Sequence, residues 1–458
     1  MTQSLVPAVE QWARVPAEVD RSSAANLPRW PVAALFVGFP VWWALGLVDA
    51  VWIPMAAVMA LYLAESRGVR LPRGFGVYLV FLAWAGASAI MLSGGAGPLV
   101  GFLYRLLIYV SAGVLFVYVY NARRWLTARY VTGCLTSLWV TTVVGGYLGL
   151  LLPTAVVRTP LSYVLPASLT SNDLVNHMVI RRLAQFNPDS FLQVAPRPSA
   201  PFLYTNNWGN AYSLLLPFVL AYLFHVRGER RFLWVAVMLP VSAVPALLTL
   251  NRGMFLGLGI AMVYATVRLA LRGRRRAVAT IVALAAVGAL LYSVLPVEQR
   301  LGNRLDPTAQ ATSNDTRASL YLQALQLVPE SPVFGFGAPQ EGENPNAAPV
   351  GTQGQVWVLL VSHGPLATLC FVGWFLLAFA RTRRRMDPDG FACSTALLVG
   401  TLELAYYGVV PNGLPIMMVA AALGMRGVDR SSGIGTQPEH RVGAGSTASR
   451  GGPDARRR

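Results

Sequence analysis

"RGRRRAVATIVALAAVGALLYSVLP" runs from Arg272 to Pro296. Four arginines crowd its first five positions, and the next twenty residues carry no charge at all. A bilayer core about 30 Å thick takes roughly 20 apolar residues in a helix, because backbone groups left unpaired in hydrocarbon are too costly to tolerate. The run from Ala277 therefore predicts a crossing helix over about 277–296, and the arginine block predicts which end stays in the cytoplasm.

The same pattern recurs from Pro31 to about Met425. Hydropathy places spans near 31–47, 50–65, 74–91, 99–120, 130–152, 206–225, 232–249, 254–271, 277–296, 355–380, 391–409 and 412–425. The chain has 458 residues, 55% of them hydrophobic and 12% charged, with a mean hydropathy of +0.50. That composition lies outside the soluble range. The expected fold class is all-α, a polytopic transmembrane helical bundle of about 12 helices.

All 37 basic residues are arginine, and their distribution sets the topology. With both termini in the cytoplasm, 28 arginines fall inside, 8 outside, and one, Arg105, within a span. Basic and non-basic loops alternate, as the positive-inside rule requires. The net charge of +17 is then a consequence of topology, and nucleic acid is not needed as a partner.

The expected organisation is a cytoplasmic N-terminal segment over 1–30, a membrane domain over 31–425, and a disordered basic cytoplasmic tail over 426–458. The mixed charges of the first thirty residues do not read as a cleaved leader. Two outside loops, about 153–205 and 297–354, are long enough to be functional. In the first, Leu174, Val175, Met178 and Leu183 fall at helical spacing. In the second, Ser313 to Asp315 read as a cap before the apolar stripe of Leu320, Ala324 and Leu327. Cys134, Cys370 and Cys393 lie in predicted spans and form neither a metal spacing nor a disulfide framework.

"LTLNRGMFLG" (Leu248 to Gly257) drops Arg252 into a tight outer turn, beside a glycine that lets the backbone bend or a ligand approach. A guanidinium there sits at headgroup depth. Its planar fork of donors suits two phosphate oxygens better than a lysine does, while a bland reading has it snorkelling to lipid headgroups.

Four stretches in order, "RPSAPFLYTNNWGNAYSLLLP" (Arg197 to Pro217), "LNRG" (Leu250 to Gly253), "RASLYLQALQLVPESPVFGFG" (Arg317 to Gly337) and "GTQGQVWVLLVSHG" (Gly351 to Gly364), resemble the O-antigen ligase and polymerase superfamily. The resemblance covers about residues 130–380. It implies an inverting, metal-independent glycosyltransferase without cofactor, multi-pass in the bacterial cytoplasmic membrane. Such an enzyme takes glycan from a polyprenyl-diphosphate lipid and passes it, on the outer face, to a glycan or lipid-linked acceptor. Arg252 and Arg317 match the arginines that hold the diphosphate in that family.

The chemistry fits. As a hydroxyl attacks the anomeric carbon, negative charge builds on the departing diphosphate, and preorganised cations lower that barrier. No D-x-D occurs in the outside loops, and only Glu341 and Glu343 share that spacing, which speaks against a required divalent metal. One departure concerns the base. Where the family has a His-Asn pair eleven residues before the glycine, this chain has Gln353, which orients a hydroxyl or phosphate but cannot accept a proton. His363, ten positions on, is a candidate imidazole or a structural histidine.

Arg105 and Glu403 are ionisable residues inside spans, and each needs a partner or a wet cavity. They either pair with each other or line the substrate cavity. Arg181 and Arg197 are candidate glycan ligands in the first loop, and Asn207 and Trp208 have the amide and aromatic face that hold sugars. Trp208 is equally suited to anchoring a helix at the interface. Two other classes stay open: a transporter or flippase of lipid-linked glycan, which would show broken helices in both halves, and a membrane scaffold.

Overall fold

The computed structural model describes residues 27–170, 173–185, 196–294, 307–342 and 348–431. The first half of the chain forms α1 (Trp30–Phe36), α2 (Phe39–Leu45), α3 (Trp52–Glu65), α4 (Gly76–Ala87), α5 (Ala96–Asn121) and α6 (Ala128–Leu151). The first long loop folds as β1 (Val156–Arg158), α7 (Leu161–Val164), α8 (Ala167–Thr170), α9 (Asp173–Val179), β2 (Ile180–Arg182), β3 (Ala184–Gln185) and β4 (Arg197–Pro198). There follow α10 (Thr205–His225), α11 (Arg230–Leu248), α12 (Arg252–Ala270), α13 (Arg275–Val294) and α14 (Pro307–Leu327). The last helices are α15 (Gln355–Thr382), α16 (Pro388–Glu403) and α17 (Gly413–Ser431).

Each predicted window overlaps a helix, and among the described residues five helices are long and apolar enough to cross a membrane: α5, α6, α11, α12 and α15. The window 31–47 is not one straight helix. Pro40 has no N–H and crowds the preceding turn, so the helix breaks at Gly38 into two pieces of seven residues each. The first loop departs from expectation too. Its helix stops at Val179, and Leu183 lies past the strand β2, which pairs antiparallel with β1. In the second loop α14 starts at Pro307, so Ser313 to Asp315 lie inside the helix instead of capping it. The tail prediction falls mainly on 432–458, outside the described residues, and α17 continues to Ser431.

The core is centred on α17, the shortest of the predicted windows. Every residue from Asn412 to Arg426 is buried, as a helix apolar all round must be. Around it pack α5, α10, α15 and α16. Aromatic rings lock α15 to α4 and α5: Phe75 stacks on Phe116 at 4.7 Å, and Trp374 meets both edge-on at 5.3 and 5.1 Å.

α15 carries a break that the second loop fills. Gly364 adopts φ 79°, and Pro365 has no N–H to give the Val361 carbonyl one turn back. Phe336 N–H takes that carbonyl at 2.8 Å, and Gly337 N–H takes the Ser362 carbonyl at 2.8 Å. The kink thus keeps no unpaired carbonyl at these two positions, which apolar surroundings would penalise. Gly335 makes the insertion possible. A Cβ there would lie 2.5 Å from the Val361 carbonyl oxygen, and its φ is +64°.

The loops sort onto two ends. At one, Asn121 exchanges hydrogen bonds with the Arg70 backbone (2.8 and 2.9 Å), Arg129 pairs with Glu229 (2.6 Å), and His225 meets Asp389 (2.8 Å). Arg426 caps the Leu126 carbonyl (2.6 Å), and Arg385 caps those of Leu423 and Gly424 (3.1 and 2.9 Å). At the other end, Arg181 pairs with Asp49 (2.7 Å), Arg197 with the Thr249 carbonyl (2.8 Å), and Trp84 with the Val333 carbonyl (3.0 Å).

Candidate functional site

The turn between α11 and α12 lies at the second, arginine-poor end. Leu250 takes a left-handed φ of 50°, and Asn251 follows as N-cap of α12 with its side chain turned away from the helix. That amide is used elsewhere: its Nδ2 donates to the Thr205 carbonyl at 3.0 Å, and its Oδ1 accepts from the Tyr407 hydroxyl. Arg252 is thereby the first residue of α12, and its side chain is exposed. No acidic residue occupies the first turn of that helix. A cation at a helix N-terminus is the wrong sign for helix stability, yet it adds to the positive potential an anion meets there.

Gly253 has a different use from the one its sequence suggested. The close approach there is made by Tyr407, whose hydroxyl would stand 2.5 Å from a Cβ, while the Tyr406 hydroxyl donates to the Gly253 carbonyl at 3.2 Å. One turn on, Gly257 leaves room for the Glu403 carboxylate. Small residues four apart let α12 press against the end of α16. Arg197 reaches the same turn from β4, through its Thr249 contact and within electrostatic range of Tyr407.

The end of α16 also receives α15. Gln355 N–H donates to the Tyr407 carbonyl at 2.8 Å, Val356 N–H to Leu404 at 3.0 Å, and the Trp357 indole to Ala405 at 3.0 Å. Orphan donors of one helix start meet orphan carbonyls of another helix end. Gln353 stands just before this junction, half-buried, and its carbonyl accepts from the Tyr321 hydroxyl at 3.0 Å. Tyr321 stacks on Trp357 at 4.5 Å, and Leu320 and Ala324 pack against Val350 and Val361, which seats the predicted stripe of α14 on the outer part of α15. Arg317, one turn before Tyr321, is exposed. Burial pushes the Tyr321 phenol above its ordinary range, and the Arg317 charge pulls against that shift. Arg252, Arg197, Gln353 and Arg317 thus belong to one connected set of elements.

A second group lies beneath. His363 is wholly buried at the α15 kink, with Nδ1 2.7 Å from the Ser88 hydroxyl and Nε2 without a hydrogen-bond partner among the described residues. Phe102 and Tyr109 face its ring at 5.8 and 6.1 Å, and Arg105 lies within electrostatic reach. The Arg105 Nε is also buried without a hydrogen-bond partner among the described residues. The Gln355 amide joins the two groups by donating to the Tyr109 hydroxyl at 2.9 Å. Arg105 therefore accompanies His363, and the pairing with Glu403 is not made.

Glu403 is held instead by Asn210 Nδ2 and the Ser213 hydroxyl, each at 2.7 Å, and is fully buried. It braces α10 against α16 below the Arg252 turn. Asn207 reaches the Gly408 carbonyl at 3.4 Å, from the same helix start. Trp208 is a correction: its indole is wholly buried, bonded to the Thr142 carbonyl at 2.8 Å and stacked on Tyr212 at 5.1 Å, so it offers no face to sugar or lipid. Arg181 is another. It is 2% exposed and committed to Asp49, so it is a buried brace of the first loop and not a surface ligand. The residues that sequence reading missed are Tyr406, Tyr407 and Ser213. They gave no local signal, since tyrosines at a span end and small polar residues within one are ordinary.

Residues 237–380 match the family model described as O-Antigen ligase. The resemblance to that superfamily is thus shown over this segment, which contains Arg252, Arg317, Gln353 and His363; the stretch from about 130 to 236 lies outside the match. No curated protein matches the chain.

Proposed function

We propose that the protein transfers glycan from a polyprenyl-diphosphate lipid to a sugar hydroxyl on the outer face of the bacterial cytoplasmic membrane, as a polysaccharide polymerase or ligase. The observation that carries this is an exposed Arg252 on the positive end of α12, in a turn fixed by Asn251, Tyr406 and Tyr407. The arginine-poor end becomes the outer face because the basic loops gather at the opposite one.

In this reading the acceptor hydroxyl forms the new bond at the anomeric carbon as the bond to the diphosphate oxygen breaks, and the hydroxyl proton passes to the departing diphosphate or to water. Arg252 and Arg317 take up the charge that appears on that oxygen. Arg197 and Asn207 bind near the same turn, and Gln353 orients a hydroxyl or phosphate. Arg105 and the buried His363 form a second layer, joined to the start of α15 through Tyr109 and Gln355. The expected mechanism is inverting and independent of metal.

A flippase of the same lipid has one feature in its favour, the break in α15 at Gly364. The Phe336 and Gly337 amides, however, fill that break with protein. Purified protein given a polyprenyl-diphosphate glycan, with and without chelator, separates the two. Release of lipid diphosphate with a longer glycan supports transfer; movement of intact lipid across a vesicle without product refutes it.

A further inference from the structure

At the basic end, opposite the donor site, α1, α6, α10 and α11 enclose an open cavity of about 460 Å³. Arg29, Arg124, Arg129 and Arg231 stand around it. Its less polar lining is Val37, which is exposed, with Gly133, Cys134 and Tyr222, the last two buried. Gly133 shapes that lining: a Cβ there would come within 3.1 Å of the Tyr222 ring. Arg129 is matched by Glu229 at 2.6 Å, and Arg29 and Arg124 lie over the rings of Tyr130 and Trp125 at 5.3 and 5.0 Å. Four guanidiniums thus face one carboxylate among these contacts. Trp125, 42% exposed, sits where an interfacial tryptophan belongs.

We infer that this cavity is a binding site for an anionic phospholipid of the inner leaflet. A cationic rim over an apolar wall, opening beside the lipid-facing surface of α11, fits a ligand with phosphate at one end and acyl chain at the other. The lining as a whole suits neither a purely polar nor a purely apolar molecule. The inference is independent of glycan transfer, because none of its residues lies at the arginine-poor end.

The test is lipid retention by the full-length protein in native mass spectrometry, titrated with phosphatidylglycerol, with phosphatidylcholine and with inorganic phosphate. Arg124→Ala with Arg231→Ala should weaken phosphatidylglycerol by about thirtyfold, since each arginine near an anionic surface contributes about a factor of five, and leave phosphatidylcholine unchanged. Gly133→Leu, which narrows the wall without altering charge, should also weaken it. Arg227→Ala with Arg230→Ala, on the same end but outside the lining, is the control for general surface charge. Equal loss in that control overturns the site, as does retention of phosphatidylglycerol in both cavity variants. Phosphate displacing the lipid and binding as tightly alone overturns the lipid and leaves a simple anion site.

Discussion

Replacing Arg252 by alanine separates a chemical role from a structural one, because the two carry opposite signs. The side chain is exposed and starts α12 with no acid in the first turn. A cation there opposes the helix dipole, so its removal should leave stability unchanged or raise it by about 0.3–1 kcal/mol. Catalysis should move the other way. Losing one preorganised donor to a developing oxyanion costs about 10²–10³ in rate, or about 2.7–4 kcal/mol of transition-state stabilisation. Arg252→Lys keeps the charge but not the planar fork, and should fall between the two. The assay is release of polyprenyl diphosphate from a labelled lipid-linked glycan, read beside the thermal midpoint in the same detergent. Turnover within about threefold of the parent, at unchanged stability, would refute the assignment. So would a large loss of stability, since it would make the arginine a structural element.

Further outcomes follow from the same contacts. Tyr407→Phe removes the donor to Asn251 and leaves a buried acceptor, so it should cost about 1–3 kcal/mol and slow transfer while Arg252 remains; a variant as active and stable as the parent contradicts a braced turn. Gly335→Ala places a Cβ 2.5 Å from the Val361 carbonyl oxygen at a φ of +64°, and should lower the thermal midpoint more than Gly68→Ala, where nothing lies within 4 Å. Burial raises the Asp387 carboxyl, but its hydrogen bonds and charge contact with Arg385 outweigh that and hold it below the usual range. A lowered carboxyl stabilises above its unfolded value of about 4 and loses that contribution as pH falls through the folded value, so Asp387→Asn should flatten the acid side of a stability profile; an unchanged profile contradicts it.

Much of this architecture was legible in the sequence because a bilayer punishes error residue by residue. Uncharged runs such as Ala277 to Val294 are helical because hydrocarbon leaves their backbone no other way to pair, and the positive-inside rule expects arginine blocks to gather at one side, whatever the rest of the chain does. Arg252, Arg317 and Gln353 were likewise visible as local motifs. The break at Gly38 was written in Pro40, though hydropathy averages over it. What no window contains is the choice of partner. Trp208 and Arg181 have side chains suited to sugars, and only the packing of α10 on α6 and of the first loop on Asp49 committed them to the interior. Tyr407 reached Asn251 across 156 positions of chain, and Phe336 found the carbonyl that Pro365 left open. Sequence alone determined which segments avoid water, since that preference belongs to each residue. Tertiary structure decided which polar groups meet, since a hydrogen bond needs two partners brought together from distant stretches of chain.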